Sequence, residues 1–344
     1  MSTKAWKYWF GDLFGGAFIG VVVALVHHAL VPRSLGILGG AILGMFVGMA
    51  AQMVVSALLG SFLGAMEMMI PGMIVGMLGM FLPMLLLREL SAEVGLGAAL
   101  GLVVFLGFDI WDTWLQRRDL TVGPPKAFEN TTEKVRQISG SPPGWWNSPR
   151  LYNALESAGS KRRAAAQKEL FQAMDGKVLF AAAGTGLNFA NFPPGKDIVA
   201  IDMSREMLDA ARPRAACYQG CLCLQEADLE QLPFANESFD TVATASTLCS
   251  VANPVKSLRE LHRVLKPGGR LLMFEHVRSR NPILALELDL MNAVLHRVGP
   301  EMNRDTVSNV QRAGFVIDRI RCAYLDIFLA IEAHKPTLVA VAAA

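Results

Sequence analysis

Two glycines and a carboxylate stand at the spacing of a nucleotide-binding site in the second half of the chain. The segment 177–186 is an apolar run that ends in Gly184-Thr185-Gly186, and Asp202 closes a second apolar run sixteen residues later. A doubly wound sheet holds an adenosine in this way, because the glycines let the backbone approach the ligand and the carboxylate accepts hydrogen bonds from the ribose hydroxyls. Enzymes that bind NAD share this half-site, so the pattern alone leaves the nucleotide open.

Four further segments narrow the choice. They are Ala-Asp-Leu-Glu-Gln-Leu-Pro-Phe at 227–234, Ser-Phe-Asp-Thr-Val at 238–242, Arg-Val-Leu-Lys-Pro-Gly-Gly-Arg-Leu-Leu at 263–272 and Phe-Glu-His-Val at 274–277. Their order and spacing resemble the class I S-adenosylmethionine-dependent methyltransferases over roughly residues 150–336, and most of all the branch with ubiquinone-biosynthesis and thiol methyltransferases. The tract 247–277, with 303–305, is more similar to membrane-associated thiol methyltransferases. The resemblance implies an enzyme with a Rossmann-like, seven-stranded, doubly wound α/β sheet and S-adenosylmethionine as its cofactor.

The resemblance also implies which residues bind the donor. The loop 183–186 would pass under the donor, Asp202 would bind the ribose, Asp228 would accept from the adenine amino group, and the helix entered through Tyr152 would cover the pocket. The predicted set is Tyr152, Ala183, Gly184, Thr185, Gly186, Asp202, Met203, Ala227, Asp228, Leu229 and Thr247. Two alternatives stand beside it: Asp202 as a charge at the start of the next helix, and Asp228 as an ordinary loop carboxylate.

The chain departs from the family pattern at two positions beside the donor. Phe180 stands where the family has an acidic residue, and Ala182 stands where it has a glycine. Losing one charge-assisted hydrogen bond costs about 1.5–3 kcal/mol. We therefore expect a weakened donor site, and we expect the combined change of Phe180→Glu and Ala182→Gly to tighten donor binding.

Two residues are candidates for catalysis. His276 lies at the carboxyl end of a predicted strand at 270–277, where it would face the crevice and take a proton from a thiol; a structural histidine is the alternative. Cys249 lies just beyond the predicted strand 240–247. Methyl transfer needs little more than alignment and exclusion of water, because the sulfonium is already activated. The sequence therefore says little about the acceptor.

The chain before residue 115 is of another kind. Between Trp9 and Asp112 the formally charged residues are Asp12, Arg33, Glu67, Arg88, Glu89, Glu93, Asp109 and Asp112. Such a stretch has no polar surface, and four runs reach the roughly 20 apolar residues that a membrane helix needs: 9–31, 36–59, 62–87 and 94–111. The predicted organisation is an all-α transmembrane domain of about four helices at 1–115, a linker at 116–149 rich in proline, glycine and serine, and a methyltransferase domain at 150–344.

Positive charge flanks the apolar region on both sides. Lys4 and Lys7 precede it, and Arg117, Arg118 and Lys126 follow it. With an even number of spans this places both termini and the catalytic domain in the cytoplasm. The sequence thus predicts an integral membrane protein, in the inner membrane if the source is bacterial, with the lipid bilayer as a partner.

Three patterns inside the apolar region invite interpretation. Gly36, Gly40, Gly44 and Gly48 form a stripe that lets another helix approach, including one from a second copy. A methionine stripe at 45–53 and 66–84 either fills gaps or binds a soft metal. Glu67 is a functional candidate if it lies within the bilayer, although the turn predicted at 60–64 would place it in the headgroup layer.

Composition excludes other classes. The net charge of +2 is too small to indicate a nucleic-acid partner. The five cysteines form no disulfide framework and match no common zinc pattern, so no metal site is predicted. The predicted function is methyl transfer to a small apolar or membrane-delivered acceptor, with a thiol or another chalcogen preferred. The alternatives are a phospholipid amine or quinone as acceptor, a donor-binding pseudoenzyme, and a soft-metal-handling membrane protein.

Overall fold

A computed structural model describes residues 3–79, 89–120, 148–295 and 300–337. The chain divides into two compact units. The helical unit comprises Met1–Trp114 and Ala154–Arg162, and the sheet unit comprises Leu115–Asn153 and Arg163–Ala344. The predicted linker lies mostly at 121–147, outside the described residues.

Four helices make up most of the helical unit: α1 Thr3–Leu30, α2 Gly36–Leu63, α3 Ala65–Gly79 and α4 Leu90–Leu115. Three segments are long and apolar enough to cross a membrane, namely Tyr8–Leu30, Gly36–Leu63 and Leu90–Leu115. The predicted span at 62–87 is described only as α3, which contains Pro71 and a shorter apolar stretch, Met66–Leu78. Its remainder, with Met80, Pro83 and Met84, lies outside the described residues.

Glycines permit the closest contacts between these helices. A Cβ atom at Gly20 would overlap the carbonyl of Gly97, and Gly16 has the same relationship to Gly101. On α2, Gly40, Gly44 and Gly48 are buried, and a Cβ at Gly76 would lie 3.0 Å from the Gly48 carbonyl oxygen. Small residues therefore allow backbones to approach here, but the tightest pairs lie on α1 and α4 and not on the predicted stripe.

The apolar core of the helical unit joins all four helices. It contains Ile19 and Val23 of α1, Val55 of α2, Met68 and Val75 of α3, and Phe105 of α4. Met68 is fully buried in this cluster and Met73 is nearly so. These thioethers serve as packing groups, which agrees with the first interpretation of the methionine stripe.

A buried ion pair also belongs to the helical unit. Arg162 donates two hydrogen bonds to Asp12, over 2.6 and 2.7 Å, and a third to the Leu63 carbonyl over 3.0 Å. Its Nε lies 3.9 Å from an oxygen of Glu67. Glu67 is itself only 3% exposed within this unit, so it faces protein and the cation at position 162. Its placement in the headgroup layer stays a prediction.

The sheet unit contains a seven-stranded sheet of order β3-β2-β1-β4-β5-β7-β6. Its elements, in chain order, are β1 Lys177–Ala181, β2 Asp197–Asp202, α6 Arg205–Ala216, β3 Cys221–Glu226, β4 Phe239–Ala245, α7 Pro254–Val264, β5 Leu265–His276, α8 Pro282–Leu295, α9 Thr306–Arg312, β6 Val316–Tyr324 and β7 Phe328–His334. They are preceded by α5, Pro149–Phe171, whose residues fall in both units. The first five strands are parallel, and β7 runs antiparallel between β5 and β6. The predicted Rossmann-like, doubly wound fold is confirmed.

The strand order reverses at β1, whose neighbours are β2 and β4. Ligands of doubly wound sheets bind in the crevice beyond the carboxyl ends of the strands at this point. β1 is buried on both faces after Lys177, as expected for a central parallel strand. The sheet therefore brings the loop after Ala181 and the ends of β2, β4 and β5 to one edge.

Candidate active site

The loop after β1 is held in a tight, left-handed course. Ala182, Gly184 and Gly186 have φ values of 56°, 54° and 77°. A side chain at Gly186 would lie 2.7 Å from the Phe189 ring, whereas at Gly184 the nearest atom would be the Tyr152 hydroxyl at 3.7 Å. Gly186 is thus required for packing, while a side chain at Gly184 would meet the Tyr152 ring at ordinary contact distance. Ala182 bears a conformation that glycine adopts freely and alanine only at a cost.

Asp202 is tied directly to this loop. One carboxylate oxygen accepts a hydrogen bond from the Gly184 amide over 2.8 Å, and the other accepts from the Ser204 amide over 2.9 Å. Burial raises the pKa of Asp202 above its ordinary value, and these backbone hydrogen bonds oppose that rise. Helix α6 is capped by Ser204, whose hydroxyl accepts from the Met207 amide. Ser204 thus supplies the helix cap, and each Asp202 oxygen keeps a lone pair for a further hydrogen bond. Ribose binding by Asp202 stays a prediction, beside the alternative of a charge at the start of α6.

The start of α5 fastens the loop from another side. The Thr185 hydroxyl donates to Asn153 Oδ1 over 2.6 Å, and Tyr152 lies beside Gly184. The Thr185 carbonyl accepts from Arg214 over 2.7 Å. The structure thus brings together Tyr152 and the predicted loop, and it adds Asn153, which the sequence analysis missed. Only its position next to Tyr152 in the sequence could have suggested it.

The predicted adenine segment lies at the same edge. The Ala227 amide donates to the Asp202 carbonyl over 3.1 Å, which joins this segment to the end of β2. Asp228 accepts from the Glu230 amide over 2.8 Å, as a loop carboxylate would, and Leu229 is buried. Met203 is half exposed beside Asp202. The adenine-binding role of Asp228 stays a prediction.

Phe180 occupies an aromatic cluster. Its ring is fully buried, with centroids 6.0 Å from Phe171, 6.2 Å from Phe189 and 4.8 Å from Phe192. A carboxylate at this position would be buried among rings with nothing to compensate its charge. The structure therefore opposes the expectation that Phe180→Glu would improve the donor site, because the surroundings of this position are built around the ring.

Glu275 organises the end of β4. Its carboxylate accepts from the Thr244 hydroxyl over 2.6 Å and from the amides of Thr247 and Leu248 over 3.0 Å each. Complete burial raises its pKa to about 7, against the lowering effect of these hydrogen bonds. Thr247 is thus placed by Glu275 at the pocket end of β4, and Glu275 is a positioning residue that the sequence analysis did not identify.

His276 and Cys249, the two predicted catalytic residues, lie at the ends of β5 and β4. His276 is buried against the Phe328 ring, with centroids 5.3 Å apart, and neither ring nitrogen has a hydrogen-bond partner among the described residues. Burial, aided by the charge of Arg163, lowers its pKa to about 3. His276 is neutral at pH 7 and would be a weak base. Cys249 is buried, and its sulfur donates to the Ser246 carbonyl over 3.3 Å.

The segment after α8 closes over the end of β4. The Glu301 amide donates to the Cys249 carbonyl over 2.8 Å, and Arg304 donates to the Val251 carbonyl over 2.9 Å. The Arg278 amide in turn donates to the Arg304 carbonyl over 3.0 Å. These bonds bring the residues after β4, after β5 and after α8 together at the carboxyl edge of the sheet. The loop that would contact the donor lies at the same edge.

Known proteins resemble this part of the chain. Residues 179–273 match a family described as a methyltransferase domain. The chain is 41% identical over 155 residues to the ubiquinone/menaquinone biosynthesis C-methyltransferase UbiE of Syntrophotalea carbinolica, covering 43% of this chain and 65% of that protein. It is 32% identical over 186 residues to UbiE of Geobacter sp., and the match covers 51% of this chain and 76% of that protein. It is 31% identical over 186 residues to thiol S-methyltransferase TMT1B of Rattus norvegicus, and the match covers 48% of this chain and 74% of that protein.

Solved structures give weaker likenesses. A SAM-dependent methyltransferase from Aquifex aeolicus has 17% identity and a TM-score of 0.40, covering 54% of this chain and 98% of that one. Among the curated relatives, the chain spans 65% of UbiE from Syntrophotalea carbinolica and 52% of UbiE from Geotalea daltonii.

Proposed function

Because this chain belongs to the class I S-adenosylmethionine-dependent methyltransferases, we propose that it transfers a methyl group from S-adenosylmethionine to a small apolar acceptor at a membrane. A thiol or another chalcogen is the preferred nucleophile. The observation that carries the donor half of this proposal is the hydrogen bond between Gly184 and Asp202, which fixes against the glycine loop the carboxylate that would accept from the ribose.

The donor would be held by residues that the sheet gathers at the switch point. The amides of the loop 183–186 would face its carboxylate end, as backbone amides in such turns do for anions. Asp202 would bind the ribose, while Asp228 and Leu229 would bind the adenine. Tyr152, beside Gly184, would cover the bound donor and exclude water. The glycine at position 184 would let such a ligand approach the loop backbone, with Tyr152 as the nearest side chain.

The acceptor half rests on the weakness of the available bases. His276 has a pKa of about 3, and Glu275 is occupied by a hydroxyl and two amides. A thiol ionises with a pKa of about 8.5, so it supplies its own nucleophile near neutral pH, whereas an amine or a ring carbon would require more help. The weakness of these bases favours a thiol or hydrogen sulfide as the methyl acceptor. His276 and Cys249 would then line the acceptor side of the active site.

The transfer itself balances without another reactant. Bound S-adenosylmethionine would supply a methyl group already activated by its sulfonium: the acceptor sulfur would take the methyl carbon, the electron pair of the broken bond would stay on the donor sulfur to give S-adenosylhomocysteine, and the thiol proton would go to solvent. What the chain contributes is alignment of the two sulfurs and exclusion of water.

We further propose that the helical unit anchors the enzyme in a membrane. Three of its segments have the required length and hydropathy, and the flanking lysines and arginines favour a cytoplasmic catalytic domain. An anchored enzyme would meet lipophilic acceptors at the high local concentration that they reach in the bilayer.

An acceptor panel tests the proposal. The full-length protein would be reconstituted in vesicles with methyl-labelled S-adenosylmethionine and offered hydrogen sulfide, an alkanethiol, a demethylated quinol or phosphatidylethanolamine. We expect label in the methyl thioethers together with an equal amount of S-adenosylhomocysteine, and loss of transfer in Asp202→Ala. Label only in the lipid amine would overturn the thiol preference.

A quinol ring is the second candidate. It is favoured by the relatives named as ubiquinone/menaquinone C-methyltransferases and by a membrane location, where quinones dissolve. In the same panel this alternative gives a C-methylated ring and no thioether.

A further inference from the structure

Helix α8 carries an exposed apolar stripe on its outer face. Ile283, Leu286 and Leu290 are 65%, 59% and 46% exposed, and Ala293 continues the row. Residues spaced by three and four lie on one side of a helix. The opposite side, with Leu284, Leu288 and Met291, is buried in the sheet unit. The helix is therefore apolar on its free face as well as on its packed face.

The charges of α8 do not interrupt this stripe. Its charged residues are Glu287 and Asp289. Glu287 is 4% exposed and so points inward. Asp289 is engaged by Arg278 over 2.7 Å and by Asn303 over 2.8 Å. The free face of α8 thus presents three large aliphatic side chains in a row, and contiguous exposed apolar surface on a folded domain indicates a membrane or protein partner.

Two features of the chain favour a lipid surface as that partner. The helical unit of the same chain carries three segments able to span a membrane. These segments would keep the sheet unit tethered to a bilayer at all times. In addition, Arg280 lies two residues before α8 and is exposed; Arg278 is also exposed, but its guanidinium is paired with Asp289 over 2.7 Å. Basic residues beside an apolar helix face are the pattern of interfacial helices, because the cations bind anionic headgroups while the aliphatic side chains enter the acyl boundary.

We propose that the outer face of α8, defined by Ile283, Leu286, Leu290 and Ala293, docks into the headgroup layer of the membrane that anchors the chain. This inference rests on the proposed membrane anchoring but not on the identity of the acceptor. Because α8 follows directly from the end of β5, such docking would place the acceptor side of the active site next to the bilayer surface.

Depth-dependent fluorescence quenching tests the docking. In the full-length protein, the three exposed cysteines, Cys217, Cys221 and Cys223, would be changed to serine, and a bimane label placed on Leu286→Cys. The matched control is Val316→Cys, since Val316 is an exposed aliphatic residue of the same unit at 47%. Both proteins would be reconstituted in vesicles containing an anionic lipid and a lipid with a nitroxide near its headgroup.

We expect the lipid-borne nitroxide to quench the label at 286 about threefold more than at 316, and aqueous iodide to show the opposite preference, as for an interfacial helix. Equal quenching by the nitroxide at both positions would overturn the proposal. Protection at 286 from both quenchers would also overturn it, since a second copy of the chain would then cover the stripe. Carbonate extraction of the same vesicles separates the two proposals: an extractable protein contradicts the anchoring itself, whereas a retained protein without quenching contradicts only the docking of α8.

Discussion

The Asp202 carboxylate accepts a hydrogen bond from the Gly184 amide over 2.8 Å. This bond joins the end of β2 to the glycine loop after β1, so the two parts of the predicted donor site form one rigid arrangement before any ligand binds. A group that both fixes the loop and accepts from the ribose acts on donor affinity in two ways.

Replacement of Asp202 should therefore weaken donor binding strongly. We expect Asp202→Ala to cost about 2 kcal/mol or more of binding free energy, because a charged acceptor is removed from the ligand hydroxyls. Asp202→Asn is the matched control and should lose less, since an amide oxygen still accepts. Calorimetric titration with S-adenosylmethionine measures both. Unchanged affinity in a folded Asp202→Ala protein would remove this residue from the site.

The backbone of Ala182 offers a test of strain in the loop. Its φ of 56° is left-handed, which costs an alanine about 1–2 kcal/mol relative to the right-handed conformation. Ala182→Gly should raise the thermal midpoint of the detergent-solubilised protein. The control Ala181→Gly, at the fully buried last residue of β1, should lower it, because a strand glycine loses packing and entropy. A fall in the midpoint for both variants would show that position 182 is not strained.

The aromatic cluster predicts the outcome of restoring the family's acidic residue. Phe180→Glu, alone or with Ala182→Gly, should destabilise the fold, since an unpaired carboxylate would be buried among Phe171, Phe189 and Phe192. Phe180→Leu is the control and should remain folded with a smaller loss. A Phe180→Glu protein as stable as wild type, with tighter donor binding, would restore the expectation drawn from the sequence.

Glu287 makes stability depend on pH. Burial raises its pKa from 4.5 to about 9, so the folded state favours the protonated acid. That contribution is fully present below about pH 4.5 and is lost as the pH rises through about 9. We expect the thermal midpoint of wild type to fall as the pH rises from about 4.5 to about 9 and to level off above that, and the midpoint of Glu287→Gln to fall less over this window. Parallel profiles for the two proteins would show that this carboxyl does not control the transition.

The buried ion pair predicts a loss of stability in the helical unit. Arg162→Met should destabilise it by about 3–5 kcal/mol, because Asp12 would be left buried without its cation. Arg162→Lys keeps the charge but loses the two-pronged geometry, so its loss should be smaller. Trypsin susceptibility of the reconstituted protein, compared across the three forms, measures the effect. Equal resistance of wild type and Arg162→Met would contradict the importance of the pair.

Local patterns predicted the fold and the glycine loop after β1 well. The apolar runs of β1 and β2, the glycines after β1 and the carboxylate that ends β2 are all readable within 26 residues of sequence, from 177 to 202. The strands beyond them followed from motifs of known order. The helical unit was recognisable because apolar segments of some 20 residues are typical of membrane-spanning helices.

Contacts between distant residues could not be predicted. Asn153 meets Thr185 across 32 positions, Arg162 meets Asp12 across 150, and Glu275 meets Thr244 across 31. No periodicity links such pairs, because their meeting depends on how whole elements pack. The surroundings of Phe180 could not be predicted for the same reason: two of its ring partners, Phe189 and Phe192, lie in and just after a short turn that no repeat in the sequence marks.

Single-turnover transfer tests the central claim most directly. The full-length protein in vesicles would be loaded with a substoichiometric amount of methyl-labelled S-adenosylmethionine. Unbound donor would be removed, and an alkanethiol would then be added. We predict that the bound label moves to the thiol as a methyl thioether at the rate at which S-adenosylhomocysteine forms, and that Asp202→Ala retains too little donor to transfer. The contradicting result is label that stays bound as intact S-adenosylmethionine after the thiol is added, and equally after hydrogen sulfide or a demethylated quinol is added. It would identify the chain as a donor-binding protein without transferase activity.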